Sequence, residues 1–156
     1  MRNKLITKLI ILAFFYVSCA KDKETIIQKT TKELLMSNNW IMSSYMMTPG
    51  LKDPNSSDTL TNIYAEYALC DKDDYITFKN NDTVVFNEGT LFCSKFDVQE
   101  YKGIYIVEDN NHFTTILPND TLQYSIVELN ENTLFVKFES YLQNQKQLNL
   151  IKYIKM

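Results

Sequence analysis

Short segments that alternate apolar and polar residues, separated by clusters of turn-forming residues, fill the chain from Trp40 onward. Turn clusters such as Asn80-Asn81-Asp82 and Asn130-Glu131-Asn132 recur at intervals near the 8–12 residues that are typical of all-β sandwiches and barrels. No long helical segment links these segments, which excludes a parallel α/β sheet. The pattern predicts eight strands, at residues 40–47, 75–79, 83–86, 101–107, 113–117, 121–129, 134–142 and 147–154.

The alternation within single segments indicates that each strand has one buried and one solvated face. In the sixth strand, Leu122, Tyr124 and Ile126 alternate with the polar residues Gln123 and Ser125. An antiparallel meander that closes on itself buries one face of every strand and leaves no free edge. We therefore predict an all-β, eight-stranded antiparallel up-and-down barrel that occupies residues 30–156.

A short helix is expected just before the first strand. Thr30 stands three residues before Glu33, which is the capping-box signature of a helix start, and Asn38-Asn39 is a plausible end. A helix of one to two turns cannot stand alone, so it is expected to lean on the barrel. The polar stretch 48–61, which contains Pro49-Gly50, predicts a long loop.

The most apolar run of the chain lies near its N-terminus. A positive head that contains Arg2 and Lys4 leads into the apolar residues 9–17, and the small residue Ser18 follows. This order is that of a secretory signal, predicted at residues 1–18. As a helix the apolar run would be roughly 14 Å long. That is shorter than the ~20 residues that a permanent membrane span needs.

The end of this run resembles the lipobox of bacterial lipoproteins. In Tyr16-Val17-Ser18-Cys19 the cysteine has the place of the residue that is acylated and becomes the new N-terminus. The resemblance implies anchoring in the membrane through acyl chains on Cys19, and a simple secreted protein is the alternative. The charged stretch 20–24 resembles the export tag of some surface lipoproteins, although a solvated tether explains it equally well. We expect residues 19–29 to be this tether and the protein to be lipid-anchored at the outer membrane, facing outward or into the periplasm.

The charge balance argues against one class of partner. The whole chain carries a formal charge of −3, and removal of Arg2, Lys4 and Lys8 with the signal leaves −3 − 3 = −6. An acidic domain without a basic stripe repels phosphate backbones. We therefore expect no nucleic-acid partner.

Two cysteines remain if Cys19 takes lipid. Cys70 and Cys93 would be exported, and an exported pair tends to oxidise to a disulfide. Such a bridge would stabilise the fold by roughly 3 kcal/mol in the chain-entropy model. A redox pair or a metal site is the alternative. Neither cysteine has Cys-x-x-Cys spacing, and no histidine lies near either one in the sequence.

Taken together, the short helix, the early Trp40, the eight-strand order and the lipobox resemble a bacterial lipocalin-like lipoprotein. Residues 68–78 resemble the stretch that opens a central hairpin in such domains, and residues 87–93 continue it. The resemblance covers about residues 30–156 and implies a lipocalin-like barrel. Lipocalins proper have Gly two residues before the Trp, where this chain has Asn38, so the ligands of the animal transport lipocalins are not implied.

Patterns for catalysis, metals or cofactors are weak. His112 is the single histidine, and no pattern supplies partners for it as a base or ligand. Asp71, Asp73 and Asp74 could suggest a calcium site, but the spacing of this segment lacks the glycine and the final Glu of an EF-hand loop. An acidic turn is the simpler interpretation. Neither Gly-x-Ser-x-Gly nor a phosphate-binding glycine loop occurs. We predict no catalytic residue, metal site or cofactor, and a protein that is not an enzyme.

Aromatic residues are abundant, with ten Tyr, nine Phe and one Trp. Inward-facing rings of a small barrel either fill its interior or line a pocket. Trp40 is expected to close the bottom of the barrel against the helix. The candidate ligand-lining residues are Trp40, Tyr105, Phe113, Tyr124, Phe138 and Tyr153.

Two hypotheses for function follow. In the first, the interior or mouth of the barrel binds a small, partly apolar ligand. In the second, a solid-core barrel serves as an interaction or accessory subunit at the outer membrane, and an envelope protein contacts the loop at residues 48–65.

Three tripeptides resemble an Asp-Thr-aliphatic acceptor of O-glycosylation in exported bacterial proteins. They are Asp58-Thr59-Leu60, Asp82-Thr83-Val84 and Asp120-Thr121-Leu122.

Overall fold

The computed structural model describes residues 28–52, 59–142 and 144–156. The secretory signal, Cys19 and most of the tether lie outside these residues. No helix within the described ranges is long and apolar enough to cross a membrane. The helices are α1 (Thr31–Leu35), α2 (Ile63–Glu66) and α3 (Leu69–Lys72). The strands are β1 (Asn39–Lys52), β2 (Thr59–Asn62), β3 (Tyr75–Phe78), β4 (Thr83–Asn87), β5 (Glu100–Val107), β6 (His112–Leu117), β7 (Asp120–Leu129), β8 (Thr133–Leu142) and β9 (Gln145–Lys155).

Strand β1 closes the sheet into a barrel. Strands β3 to β9 follow one another as antiparallel neighbours, and β1 pairs with β3 on one edge and with β9 on the other. The β1–β9 ladder runs from Trp40 opposite Lys155 to Thr48 opposite Leu148. Strands β1 and β3–β9 therefore form a closed, eight-stranded antiparallel up-and-down barrel, which confirms the prediction.

The prediction of a loop at residues 48–61 is wrong in part. Strand β1 continues to Lys52 and pairs there with β2, with Leu51 opposite Leu60. Gly50 signalled a turn, but a Cβ there would lie 2.5 Å from the carbonyl oxygen of Leu60. The glycine therefore permits the close approach of two strands rather than a reversal of the chain.

Strands β2 and β3 act as two halves of one interrupted strand. Both are antiparallel to the same edge of β1, where β2 reaches Met46 and β3 begins opposite Ile41. The residues between the halves, 63–74, leave the barrel wall and form α2 and α3. We refer to residues 63–74 as the insertion. It is the feature that shapes the candidate site described below.

Helix α1 covers one end of the barrel, the closed end, as the sequence predicted. The Thr30 backbone N–H donates to Glu33 Oε2 at 2.7 Å, and the Glu33 N–H donates to Thr30 Oγ1 at 3.2 Å, which completes the capping box. Trp40 is completely buried, and its indole Nε1–H donates to the carbonyl oxygen of Leu35 at 2.7 Å. Thr31 Oγ1 donates to the carbonyl oxygen of Asn110 in the β5–β6 turn. These contacts hold the helix against the ends of the strands.

Aromatic rings fill the half of the barrel near α1. The ring of Phe78 meets those of Tyr105 and Phe113 edge to face, with centroids 5.0 and 5.7 Å apart. Phe113 in turn stacks on Tyr124 at 4.8 Å. The void left among these rings and their neighbours measures about 10 Å³. A single water needs at least that much space, so this half of the barrel is solid.

Candidate functional site

A cavity of about 400 Å³ lies beside the interruption between β2 and β3. We call it the mouth pocket. Its lining combines the start of β3, the end of β4 with the residue that follows it, the start of β5, one residue each of β1 and β9, and the insertion. The lining residues are Met42, Tyr67, Asp71, Asp74, Tyr75, Ile76, Phe86, Asn87, Glu88, Tyr101 and Tyr153.

The apolar part of the pocket follows from strand register. Ile76 is opposite Phe86, and Phe86 is opposite Tyr101 on the next strand. Residues that are direct cross-strand partners point to the same face of a sheet. The rings of Phe86 and Tyr101 stack at 4.9 Å with an angle of 2° between their planes. Buried Tyr153 lies opposite Met42 and adds the β9 side of the pocket.

A disulfide joins the insertion to the β4–β5 connection, residues 88–99. Cys70 and Cys93 form the bridge, with their Cα atoms 5.3 Å apart, which confirms the predicted pairing. The carboxylate of Asp71 lies near both sulfurs. Because each sulfur is already bonded to the other, this group offers no thiolate to a metal ion. The bridge instead positions the insertion, which supplies Tyr67, Asp71 and Asp74 to the pocket.

Asp73 ties the insertion to the same connection by hydrogen bonds. Its Oδ2 accepts the backbone N–H groups of Thr90 at 2.6 Å and Leu91 at 3.0 Å. Gly89 has φ of 64° and lies so close that a Cβ would meet the Asp73 carbonyl oxygen at 2.5 Å. Burial raises the pKa of Asp73, but the hydrogen bonds from Thr90 and Leu91 outweigh it and the pKa falls below its ordinary value. Asp73 therefore acts as a structural anion.

The pKa of Asp74 is shifted in the opposite direction to that of Asp73. Burial first, and then the negative charges of Glu88, Asp71, Asp73 and Asp97, raise its pKa from 3.8 to about 7. Its Oδ1 is shielded from solvent and has no hydrogen-bond partner among the described residues. The pKa of Glu88 is raised as well, again by burial first and then by Asp97, Asp71 and Asp73. The carboxylates of the pocket thus repel one another.

The burial of Asp74, together with this repulsion, predicts a pH-dependent stability. A carboxyl whose pKa is higher in the folded than in the unfolded chain costs stability when ionised, so the cost is absent below pH 3.8 and complete above about pH 7. We expect Asp74→Asn to raise the free energy of unfolding at pH 8 by about 1–2 kcal/mol, after a discount for solvent screening. At pH 4 the variant and the parent should unfold at nearly the same denaturant concentration. Equal stability of the variant and the parent at pH 8 would contradict the raised pKa of Asp74.

Among the candidate lining residues, only Tyr153 lines the mouth pocket. Trp40 packs against α1. Tyr105 is also at the closed end, where its hydroxyl donates to the carbonyl oxygen of Lys79 at 2.9 Å. These two side chains belong to the solid half of the barrel and lie outside the pocket. The sequence could not predict this, because alternation shows which face of a strand a residue is on but not how far along the barrel it lies.

Phe113, Tyr124 and Phe138 line a different space. The β7–β8 ladder begins only where Ser125 meets Lys137, so the two strands diverge toward the open end, opposite α1. A groove of about 780 Å³ lies between them; we call it the β7–β8 groove. It is polar at its edges, and His112 on its rim is paired at 2.9 Å with the carboxylate of Asp109.

The sequence did not single out most of the mouth pocket. The pocket residues that were not among the candidate ligand-lining residues include Tyr67, Tyr75, Phe86, Glu88 and Tyr101. One signal was available: a Cys70–Cys93 bridge brings residues 70–75 next to residues 88–93. The acidic turn beside Cys70 therefore contributes Asp71 and Asp74 to the lining of the mouth pocket.

Comparison with known proteins gives three results. The family model of the lipocalin-like domain matches residues 36–136. A bovine odorant binding protein in complex with a selenium-containing odorant is 16% identical, with a TM-score of 0.45, and the match covers 83% of this chain and 74% of that chain. A complex of bovine odorant binding protein with undecanal is 13% identical, with a TM-score of 0.46 and coverage of 83% and 75%. No curated protein sequence matches the chain.

The family match spans well over half of the 156 residues and includes Trp40, the disulfide and the mouth pocket except Tyr153. The match begins just after α1 and ends within β8. The chain therefore belongs to the lipocalin-like domain family.

Proposed function

We propose that this protein binds a small, partly apolar molecule in the mouth pocket. The observation that carries the proposal is the cavity of about 400 Å³, lined by aromatic rings on one side and by carboxylates on the other. Pockets for small molecules usually measure about 300–1,000 Å³ and combine apolar walls with a few polar groups. Inside the half of the barrel near α1, the void among the packed rings measures only about 10 Å³.

The pocket is built to be present before the ligand arrives. The Cys70–Cys93 bridge and the hydrogen bonds to Asp73 fix the insertion to the β4–β5 connection. The stacked rings of Phe86 and Tyr101 stand on paired strands. A site that needs little ordering on binding loses less free energy to conformational entropy. We assign the carboxylates of the pocket to binding rather than to catalysis.

A neutral fluorescent probe tests the proposal. N-phenyl-1-naphthylamine, whose emission rises in an apolar site, is expected to bind the protein, and Tyr101→Ala should weaken binding about tenfold because it removes a stacked ring. Tyr141→Ala is the matched control: it removes an exposed tyrosine that lines the β7–β8 groove. Weaker binding by Tyr141→Ala, with Tyr101→Ala unchanged, would place the ligand in the groove and refute the proposal.

For the cellular setting we propose a lipoprotein that is anchored to the outer membrane through acyl chains on Cys19. The described chain enters the barrel at α1, on the closed end, and the mouth pocket lies on the side of α2 and α3. A tether at Cys19 would therefore leave the pocket accessible to the surrounding medium. Metabolic labelling with palmitate should mark the parent and not Cys19→Ala, and equal labelling of the two would contradict the anchor.

A second candidate function is an accessory subunit of an envelope assembly. It is favoured by exposed apolar side chains on the insertion and the β4–β5 connection, where Leu69 is 77% and Phe96 is 82% exposed. If this role holds, cross-linkers placed at these two positions should capture one defined envelope protein in the cell, and Tyr101→Ala should not affect the capture.

A further inference from the structure

We propose that the ligand of the mouth pocket is an organic cation, an amine or quaternary ammonium group carried on an apolar body. This inference rests on the proposed function and names the chemical class of the ligand. The first support is the charge of the lining. Asp71, Asp74 and Glu88 face the cavity, and the lining contains no Lys, Arg or His.

The ion pairs in the described part of the chain all lie outside the pocket. Outside the pocket, Lys29 binds Glu131, Lys32 binds Asp82, Lys102 binds Glu100, Lys146 binds Glu139 and His112 binds Asp109. None of these ion pairs involves a carboxylate of the pocket. The nearby Lys72 of α3 donates to the carbonyl oxygen of Ala65 at 3.5 Å and lies 5.2 Å from the centre of the Tyr64 ring. It therefore contacts residues outside the lining.

A shielded carboxylate without a partner is costly to keep ionised. Asp74 Oδ1 is in that position. Burial is the larger cause of the raised pKa of Asp74, and repulsion by Glu88, Asp71, Asp73 and Asp97 adds to it. A positive charge placed beside Asp74 would offset this repulsion. The described chain supplies no such charge in the pocket, and a bound cation would.

The rings next to these carboxylates favour an organic cation. Tyr67 and Tyr101 are close enough to the acids that the charges of Asp71 and Asp74, and of Glu88 and Asp74, raise their phenol pKa values, after burial as the larger cause. The phenols therefore stay neutral and present ring faces with negative quadrupoles, which attract ammonium groups. Calcium would need six to eight oxygen ligands in a tight shell. A cavity of about 400 Å³ with aromatic and aliphatic walls suits a larger body.

Two probes of equal shape test the charge requirement. Benzyltrimethylammonium carries a permanent positive charge, and neopentylbenzene is its uncharged isostere. At pH 8 we expect the purified protein to bind the cation at least tenfold more tightly than the isostere, by calorimetry or by competition with N-phenyl-1-naphthylamine. The preference should shrink as the pH falls below about 7, where Asp74 takes up a proton. Glu88 should contribute to the same loss, because its pKa is also raised, by burial first and then by its acidic neighbours.

Charge variants make the test specific. Asp74→Asn should lower the affinity for the cation about tenfold and leave that for the isostere nearly unchanged. Glu131→Gln removes the same charge at the closed end, where Glu131 pairs with Lys29, and should change neither affinity. Tyr101→Phe should keep the preference for the cation, and Tyr101→Leu should reduce it.

Each remaining outcome overturns the inference. If the isostere binds as tightly as the cation, the pocket binds apolar ligands and the charge requirement is wrong, while the proposed function stands. If the cation fails to bind but N-phenyl-1-naphthylamine still does, the same conclusion holds. If Glu131→Gln weakens the cation as much as Asp74→Asn, the preference reflects the overall negative charge of the protein. If the protein binds none of benzyltrimethylammonium, neopentylbenzene and N-phenyl-1-naphthylamine, the proposed function is refuted as well.

Discussion

Replacement of Trp40 by Ala is expected to lower the free energy of unfolding by about 4 kcal/mol. Trp40 is completely buried between α1 and the barrel interior, and truncation of a buried Trp leaves a cavity as well as lost contacts. The carbonyl oxygen of Leu35 would also lose its donor, the indole N–H at 2.7 Å. Urea denaturation followed by circular dichroism measures the change.

Trp40→Phe separates the two contributions. It keeps most of the buried ring and removes the hydrogen bond to Leu35, so we expect a loss of about 1–2 kcal/mol. Both variants should bind N-phenyl-1-naphthylamine like the parent under conditions where they are folded, because Trp40 lies outside the mouth pocket. A cost below about 1 kcal/mol for Trp40→Ala would show that α1 does not hold the closed end.

Removal of the disulfide by Cys70→Ser together with Cys93→Ser is expected to cost about 3 kcal/mol. The bridge spans a sequence separation of 23 residues, and in the chain-entropy model a loop of that size restricts the unfolded chain by roughly this amount. The bridge also affects the pocket, because without it the insertion depends more heavily on the hydrogen bonds from Thr90 and Leu91 to Asp73. We therefore expect affinity for N-phenyl-1-naphthylamine to fall as well.

Reduction of the parent protein with dithiothreitol provides the matched control, since it opens the bridge without a substitution. Reduced parent and double variant should agree in stability and in probe affinity. If the reduced protein binds the probe as tightly as the oxidised one, the insertion does not depend on the bridge, and its role in shaping the pocket is wrong.

Local patterns in the sequence were enough to predict the elements of the barrel. The capping box at Thr30 and Glu33, the position of Trp40 against the helix and the pairing of Cys70 with Cys93 are all confirmed. Each depends on a small number of residues whose chemistry leaves few choices: a hydroxyl before a helix, an indole N–H that needs an acceptor, and two cysteines that can pair with each other.

The features that make the pocket depend on residues far apart in the chain. Strand β2 exists because Gly50 lets β1 approach residues 59–61, and nothing in the short segment 59–62 announces a strand by itself. The insertion leaves the barrel wall between the residues that pair with Met46 and with Ile41 of β1. Only the register of the strand pairing reveals this position. For the same reason Tyr105 and Tyr153 were equal candidates in the sequence, although one completes the solid half and the other lines the pocket.

Predictions for the N-terminal part remain predictions. The signal at residues 1–18, acylation of Cys19 and the position of the protein at the outer membrane concern residues outside the described ranges. Modification of the Asp-Thr-aliphatic tripeptides is equally untested. Thr59 and Thr121 are exposed and therefore accessible to a glycosyltransferase, whereas Thr83 is half-buried. One intact-mass measurement of the purified protein addresses both kinds of modification.

The position of a bound probe tests the central claim most directly. Backbone amide resonances of the ¹⁵N-labelled protein, recorded with increasing N-phenyl-1-naphthylamine, report which residues the probe approaches. We predict that the largest shifts fall on Tyr67, Tyr75, Phe86, Glu88 and Tyr101, around the mouth pocket. Shifts confined to Gln123, Tyr124 and Phe138 in the β7–β8 groove, or no saturable shifts at all, would contradict it.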